Sequence, residues 1–353
     1  MQTLHRVLTG DARYLHLPAD SVQLVVTSPP YPMIEMWDAV FGTLAPKSAR
    51  LRENGDGMGA FEAMHAELDR VWAGVARVLA PGGFACVNIG DATRTIDGRF
   101  CLYPNHARIS TAMMALGLTP LPDILWRKPN NSPNKFMGSG MLPAGAYVTY
   151  EHEYVLIFRK GDKRVFATPE DKVRRARSAF FWEERNTWFS DLWSDLLGVQ
   201  QGLGARAARA RSAAFPFELA FRLVSMYSVA GDLVLDPFMG TGTTALAAAA
   251  TARNSVGVEL EPDLAADALA DMPAVVALGN ARVDARLAAH RTFVEERRTK
   301  GKLPGHVSDH YGFPVVTGQE TRMELWRPVS VRPTAPNEVE VTHSLQAAQR
   351  SLL

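Results

Sequence analysis

Two short apolar runs, Leu24-Val25-Val26 and Leu233-Val234-Leu235, each break off into a turn of unusual composition, and this pair constrains the fold more than any other feature of the chain. The first run enters Thr27-Ser28-Pro29-Pro30-Tyr31. The second enters Asp236-Pro237-Phe238-Met239-Gly240-Thr241-Gly242-Thr243-Thr244. A short β-branched run with no polar alternation is the pattern of a strand covered on both faces, as in parallel sheets. Two such strands feeding two special turns predict an open α/β sheet with both turns at its carboxyl edge, where such sheets bring ligands together.

The rest of the chain supplies the other layers. Residues 23–27, 84–89, 123–127, 154–159, 233–235 and 255–259 read as strands, and 61–79, 106–116, 215–228, 243–252 and 261–270 as helices, with Pro81-Gly82-Gly83 as a stop. This alternation predicts a doubly wound, mostly parallel sheet with helices on both faces. Residues 41–60, with Lys47, Arg50 and Arg52 but no sustained apolar period, read as a mobile loop. Pattern dissolves over 161–212, where the stretch from Lys172 to Arg211 holds eight Lys or Arg against four Asp or Glu. Phe180, Phe181, Trp182, Trp188, Phe189 and Trp193 interleave there, as in a nucleic-acid surface or a small helical unit with an aromatic core. A charged helix and an irregular Pro-bearing tail follow residue 275. The expected units are therefore 1–160, 161–212, 213–275 and 276–353.

A net charge of +1 excludes a wholly basic nucleic-acid coat, so any such contact must come from local Arg and Lys clusters. Cys86 and Cys101 are the only cysteines and form no CxxC pair, which argues against a disulfide framework. With no apolar run read as membrane-spanning and no secretion segment, the chain is expected in the cytoplasm and away from membranes. His306, Asp309 and His310 lack a convincing third partner for a metal, and none is expected.

In the second turn, Gly240 and Gly242 let the backbone pass close to a ligand, while Thr243 and Thr244 stand where they can cap the following helix. No Lys follows the last glycine and the spacing is not GxGxxG, which disfavours triphosphate and nicotinamide ligands. Glu259 ends the next strand, where an acid can accept from both ribose hydroxyls of a nucleoside. In the first turn, Pro29 and Pro30 fix the chain and remove two donors, leaving carbonyls free. Ser28 Oγ and the Pro29 carbonyl can hold the hydrogens of an amine as it becomes tetrahedral and positively charged during attack. Tyr31 is placed to stack on the base carrying that amine. A cysteine-based attack through carbon would need Cys beside Pro, which neither cysteine has.

On Ser28-Pro29-Pro30-Tyr31 and Asp236-Pro237-Phe238-x-Gly240-x-Gly242-Thr243-Thr244, in that order, the chain resembles the DNA amino-methyltransferases of the permuted beta order. The resemblance covers about residues 1–270. It implies a Rossmann-like, S-adenosylmethionine-dependent methyltransferase fold with a mostly parallel seven-stranded sheet and an inserted target-recognition region at 161–212. It further implies that Phe215-Pro216, with Glu218, wraps the methionine end of S-adenosylmethionine and that Asp11 of Gly10-Asp11 contacts the adenine side. Val87-Asn88-Ile89-Gly90-Asp91 resembles the strand after the catalytic turn, and Trp126-Arg127-Lys128-Pro129-Asn130 the segment beside a flipped base. Arg174, Arg175 and Arg177 are then expected on phosphates of double-stranded DNA. A serine at the first position is typical of enzymes acting on the N4 amine of cytosine, with adenine N6 as the alternative. Protein or RNA amines, and a silent DNA-binding protein, stay open as other readings. A cognate restriction endonuclease acting separately is a possible partner.

Overall fold

The computed structural model describes residues 1–128, 137–196 and 215–345. Chain order gives β1 (Gln2–Thr9), β2 (Val22–Thr27), α1 (Asp38–Leu44), α2 (Pro46–Glu53), α3 (Gly57–Val78) and β3 (Leu79–Ile89). Next come β4 (Ala92–Ile96), β5 (Arg99–Tyr103), α4 (Asn105–Ala115), β6 (Leu118–Arg127), β7 (Met137–Gly138), β8 (Ala146–Tyr147) and β9 (His152–Lys160). The middle of the chain forms α5 (Pro169–Arg177), α6 (Trp182–Trp188), β10 (Leu192–Trp193), α7 (Phe217–Tyr227), β11 (Leu233–Asp236), α8 (Thr243–Ala250) and β12 (Asn254–Glu259). It closes with α9 (Pro262–Ala270), α10 (Val275–Thr299), β13 (His306–Val307), β14 (Pro314–Val315), β15 (Arg327–Ala335) and β16 (Glu338–Ser344).

Ten strands form one sheet in the order β10-β6-β9-β3-β2-β11-β12-β1-β16-β15. The seven from β6 to β1 match the strand number the resemblance implies; six are strands read from the sequence and β1 is one the sequence reading missed, and all run parallel except β9, which is antiparallel to both β3 and β6. Leu24 and Val26 of β2 join the core on one face and Val25 the core on the other, as a doubly covered strand requires. One layer is built from α7, α8 and α10. The other rests on α3, whose Phe61, Met64, Leu68, Val71, Trp72, Val75 and Val78 repeat at helical spacing and are all buried. Asp56 caps that helix by accepting from the Gly59 amide.

Three expectations change. Residues 41–60 are not a loop: α1, α2 and the start of α3 occupy them, held by Asp38, which pairs with Arg94 at 2.7 Å and with Arg52. The tail is not irregular: β16 pairs antiparallel with β1 and β15 with β16, so residues 327–344 extend the sheet to ten strands. One helical run, 262–299, is long and apolar enough to cross a membrane by length and composition. Its Arg282, Arg286 and His290 are nevertheless engaged by Glu218, Glu184 and Glu183, so α10 is a packed layer of the domain.

Candidate active site

Every strand that runs parallel to β2 ends at one edge, and the residues just past those ends converge. Ser28 follows β2, Gly90 and Asp91 follow β3, Lys128 follows β6, Pro237 follows β11, and Asp11 lies just beyond β1. Glu259 ends β12. Because β9 is antiparallel, its start is at the same edge, where His152 is opposite Arg127 and Tyr154 opposite Ile89. Thr27 Oγ1 donates to Asp236 Oδ1 at 2.6 Å, so the two turns are joined directly across neighbouring strands. Burial pushes the Asp236 carboxyl up to about 6, against the opposing bonds from Thr27, Thr244 and the Phe238 amide.

In the first turn only Ser28 keeps part of its surface; Pro29, Pro30 and Tyr31 are buried. The turn is braced from below. Asn105, fully buried, donates from Nδ2 to the carbonyls of Pro32 and Gly90, and its Oδ1 lies 2.9 Å from His65 Nε2. With both Asn105 amide hydrogens committed, Oδ1 must accept, so His65 carries its proton on Nε2. Burial lowers the His65 pKa to about 4, and the ring is neutral.

Tyr31 corrects the stacking expectation. At 4% exposure its ring presents no open face, and its hydroxyl points into a polar cluster. Ser28 Oγ donates to Tyr31 OH at 3.0 Å, and Tyr31 OH donates to Glu153 Oε2 at 2.9 Å. Asn88 Nδ2 donates to both, at 2.8 and 2.7 Å, and Lys128 Nζ donates to Glu153 Oε1 at 2.9 Å. Gly90 lets the Tyr31 ring approach, since a Cβ there would stand 3.2 Å from its Cε2. Burial, then the charge of Glu153, raises the Tyr31 pKa well above its ordinary value, so the phenol keeps its proton. In the sequence, Glu153 stands just before the strand read at 154–159 and carries no further signal. Its partner is 122 residues away, and only the antiparallel β9 brings them together.

Around the second turn, Gly240 (φ 53°) and Gly242 (φ 82°) adopt the left-handed backbone that favours glycine, and Gly242 precedes the first turn of α8. Thr243 and Thr244 do not cap α8 as expected: the helix starts at Thr243 with Gly242 as its N-cap and no side-chain cap, and Thr244 Oγ1 instead reaches back to the Val26 carbonyl of β2 at 3.1 Å. Glu259 accepts from the amides of Gly240 (2.8 Å) and Glu261 (3.0 Å), which fixes its carboxylate and leaves lone pairs for further donors. A Cβ on Gly10 or Gly240 would meet no atom within 4 Å, so the backbone is open to an approaching ligand at both. Asp11 is engaged by Arg13, which also pairs with Glu67. Phe215 and Pro216 are buried at the start of α7, beside the same core face as Val26 and Met239. Gly257, which the sequence did not single out, makes room for Met239: a Cβ there would lie 2.0 Å from Sδ. An acid at a strand end, open glycine backbone and a helix amino terminus fit a nucleoside cofactor with vicinal hydroxyls.

Other expected contacts do not gather here. Trp126 is 1% exposed and donates Nε1 to the Leu196 carbonyl at 2.9 Å, which makes it core; Lys128 lies over its ring at 5.2 Å. Arg127 is exposed at the carboxyl edge, where it pairs with the partly exposed Glu151 at 3.5 Å. Arg174, Arg175 and Arg177 are at the opposite, amino edge, because α5 packs where β11 begins. Arg174 pairs with Asp171 and with Asp232, the residue before β11, Arg175 lies over Phe166 at 4.9 Å, and Arg177 pairs with Glu324 at 3.1 Å. Arg174 and Arg177 are paired with acids and Arg175 stacks on a ring, so the structure does not bring this cluster together with the first turn, where phosphate contacts beside the site were expected. Phe181, Trp188 and Trp193 are buried, which favours the aromatic-core reading of residues 161–196. Pro129, Asn130, Arg206, Arg209 and Arg211 lie outside the described residues. Cys86 is buried, and burial drives its thiol far above the usual range. Among the described residues no three His, Cys, Asp or Glu side chains are grouped to hold a metal.

The comparisons agree with this geometry. The Type II methyltransferase M.MthZI of Methanothermobacter thermautotrophicus is 48% identical over 342 residues, 96% of this chain and 95% of its own. A Thermus thermophilus protein described as a DNA modification methylase, solved in complex with S-adenosyl-L-methionine, is similar with a TM-score of 0.59 at 36% identity, over 76% of this chain and 94% of that one. The cytosine-N4-specific PvuII DNA methyltransferase shares the fold, with a TM-score of 0.51 at 20% identity over 76% of this chain and 86% of that one. A DNA methylase family model matches residues 22–269, and the chain therefore belongs to that family of amino-methyltransferases, with S-adenosylmethionine as its cofactor.

Proposed function

We propose that this chain methylates the N4 amine of cytosine in duplex DNA, acting on a base turned out of the helix. The observation that carries the reading is Ser28: a neutral hydroxyl, the one partly open side chain of the catalytic turn, directly joined to the cofactor turn through Thr27 and Asp236. S-adenosylmethionine supplies an activated methyl group on a sulfonium, so the protein has to align and to stabilise charge rather than form a covalent intermediate.

The amine of cytosine is a weak nucleophile because its lone pair is conjugated with the ring. Ser28 Oγ and the Pro29 carbonyl accept its two hydrogens, which directs the nitrogen lone pair away from the ring plane and favours the charge that develops on attack. Glu259 and the amides before α8 hold the nucleoside part of the cofactor, Asp11 its adenine side, and Phe215-Pro216 its methionine end. Thr244 ties the start of α8 to β2, and so the second turn to the first. A stacked base cannot reach a site at the floor of a sheet edge, which is why the base is turned out. Arg127, exposed beside the site, contacts a flanking phosphate. A cognate endonuclease acting separately is consistent with the Type II relative.

The test is chemical. Purified protein, S-adenosylmethionine and mixed-sequence duplex DNA are incubated, the DNA is digested to nucleosides, and the methylated product is identified by mass spectrometry. N4-methylcytosine is expected. N6-methyladenine would overturn the choice of base while keeping the amine chemistry, and no product despite cofactor binding would redirect the enzyme to another amine substrate.

A further inference from the structure

The polar cluster beneath the catalytic turn has a fixed direction. A carboxylate has no proton to give, so the Tyr31 hydroxyl must donate to Glu153. That uses the only proton of Tyr31, and its oxygen can then only accept, from Ser28 and from Asn88. Ser28 in turn commits its only proton to Tyr31. What Ser28 Oγ has left for the site is lone pairs.

We propose that Glu153 is a positioning residue that acts through Tyr31 to make Ser28 an obligatory hydrogen-bond acceptor, so that the site admits an exocyclic amine and rejects a carbonyl at the same position. This deepens the proposed function and rests on Ser28 meeting the reacting group. A lone serine hydroxyl rotates and donates as readily as it accepts. Held in this chain, it accepts from the N4 amine of cytosine but has nothing to offer the O4 of thymine or uracil. Cytosine and uracil differ in their hydrogen bonding on that edge, and a site built for a donor leaves buried acceptors facing each other when the donor is missing.

Two further observations fit the direction. Lys128 Nζ, 2.9 Å from Glu153 Oε1, holds the other carboxylate oxygen and aligns it. Asn88 turns its amide nitrogen to both Tyr31 and Glu153, and its own Oδ1 is buried without a hydrogen-bond partner among the described residues. Leaving a buried acceptor unpaired is costly, and the orientation that incurs the cost is the one that feeds the relay.

The experiment uses the full chain with Glu153→Gln, Tyr31→Phe and the double variant, on the site mapped by the product assay. A glutamine can donate to Tyr31, which frees the Ser28 proton and scrambles the direction. We expect kcat to fall 10-fold or more in E153Q and in Y31F with the Kd for S-adenosylmethionine unchanged. Because Glu153 acts only through Tyr31, the double variant should be no slower than Y31F. In binding to matched duplexes with cytosine or uracil at the target position, the wild-type preference for cytosine should narrow at least 3-fold in E153Q. Multiplying losses in the double variant, or wild-type kcat and base preference in E153Q, would overturn the proposal. Should E153Q fail to bind cofactor, Y31F alone decides: wild-type kcat with intact cofactor binding would overturn it. If the wild type makes N6-methyladenine, the cytosine reading fails while the relay is tested unchanged on an adenine-to-inosine pair.

Discussion

At the carboxyl edge of the sheet Ser28 and Arg127 keep surface open, Glu259 holds lone pairs in reserve, and Gly10 and Gly240 leave the backbone bare. At the amino edge of the same sheet Asp232, with 1% of its side chain exposed, takes Arg164 at 2.6 Å and Arg174 at 3.8 Å, while Glu324 takes Arg177. Both edges are rich in charge, and in the sequence the amino-edge arginines look the more like a nucleic-acid surface. Charge that is paired and covered stabilises a fold; charge or polarity left without a full set of partners is available to a ligand. The contrast separates a site from a structural cluster more sharply than residue type does.

Ser28→Ala offers the largest effect at the open edge. It removes an acceptor at the reacting amine and should lower kcat by about 10²–10³-fold while leaving cofactor affinity nearly unchanged. Isothermal titration with S-adenosylmethionine beside steady-state rates measures both, and a variant as fast as wild type would remove Ser28 from the mechanism. At the closed edge, Asp232→Ala should do the reverse. It strands Arg164, removes one of the two acids that Arg174 pairs with, and should cost about 3 kcal/mol of stability, the lower end for a broken buried pair because Arg164 is a quarter exposed. Its kcat per folded molecule should be unaltered, and a selective loss of rate would break the distinction between the edges.

The brace below the catalytic turn gives a pH signature of similar size. His65 has its folded pKa lowered from 6.5 to about 4, so the neutral ring contributes stability that is fully present above pH 6.5 and is lost as pH falls through 4. The difference is on the order of 3 kcal/mol for this buried group. Thermal unfolding from pH 7 to 4 should show a shallower decline in His65→Gln than in wild type, and equal slopes would exclude the ring as a contributor. The smallest effect sharpens the comparison most. Arg127→Ala should reduce the salt dependence of DNA binding by about one phosphate contact, and Arg175→Ala should leave it unchanged. An equal loss from both would return the amino edge to the DNA surface.

Much of this is legible in the sequence, for identifiable reasons. The runs 24–26 and 233–235 carry their own signal because strands covered on both faces need continuous apolar residues, and the glycines of the second turn signal backbone that few other residues adopt. The elements that escape it are those held by distant partners. Helix α2, Pro46–Glu53, is polar almost throughout, and the Asp38 carboxylate that anchors it through Arg52 also holds Arg94 from β4. Val339 and Val341 alternate with polar residues over 338–344, a half-buried strand pattern that the prolines of the same tail obscure. Glu153 carries no local mark at all. Its role follows from the antiparallel course of β9, which only the assembled sheet supplies.

The 2.6 Å bond between Thr27 and Asp236 spans 209 residues of sequence and no flexible joint. In the proposed reaction the separation of methyl donor and acceptor is therefore a built-in dimension of the sheet, set when the chain folds. In that proposed reaction the base is turned out of the duplex, so deformation falls on the DNA. Sequences whose target base pair opens easily should then be methylated faster than equally well-bound sequences in which it is held tightly by its neighbours.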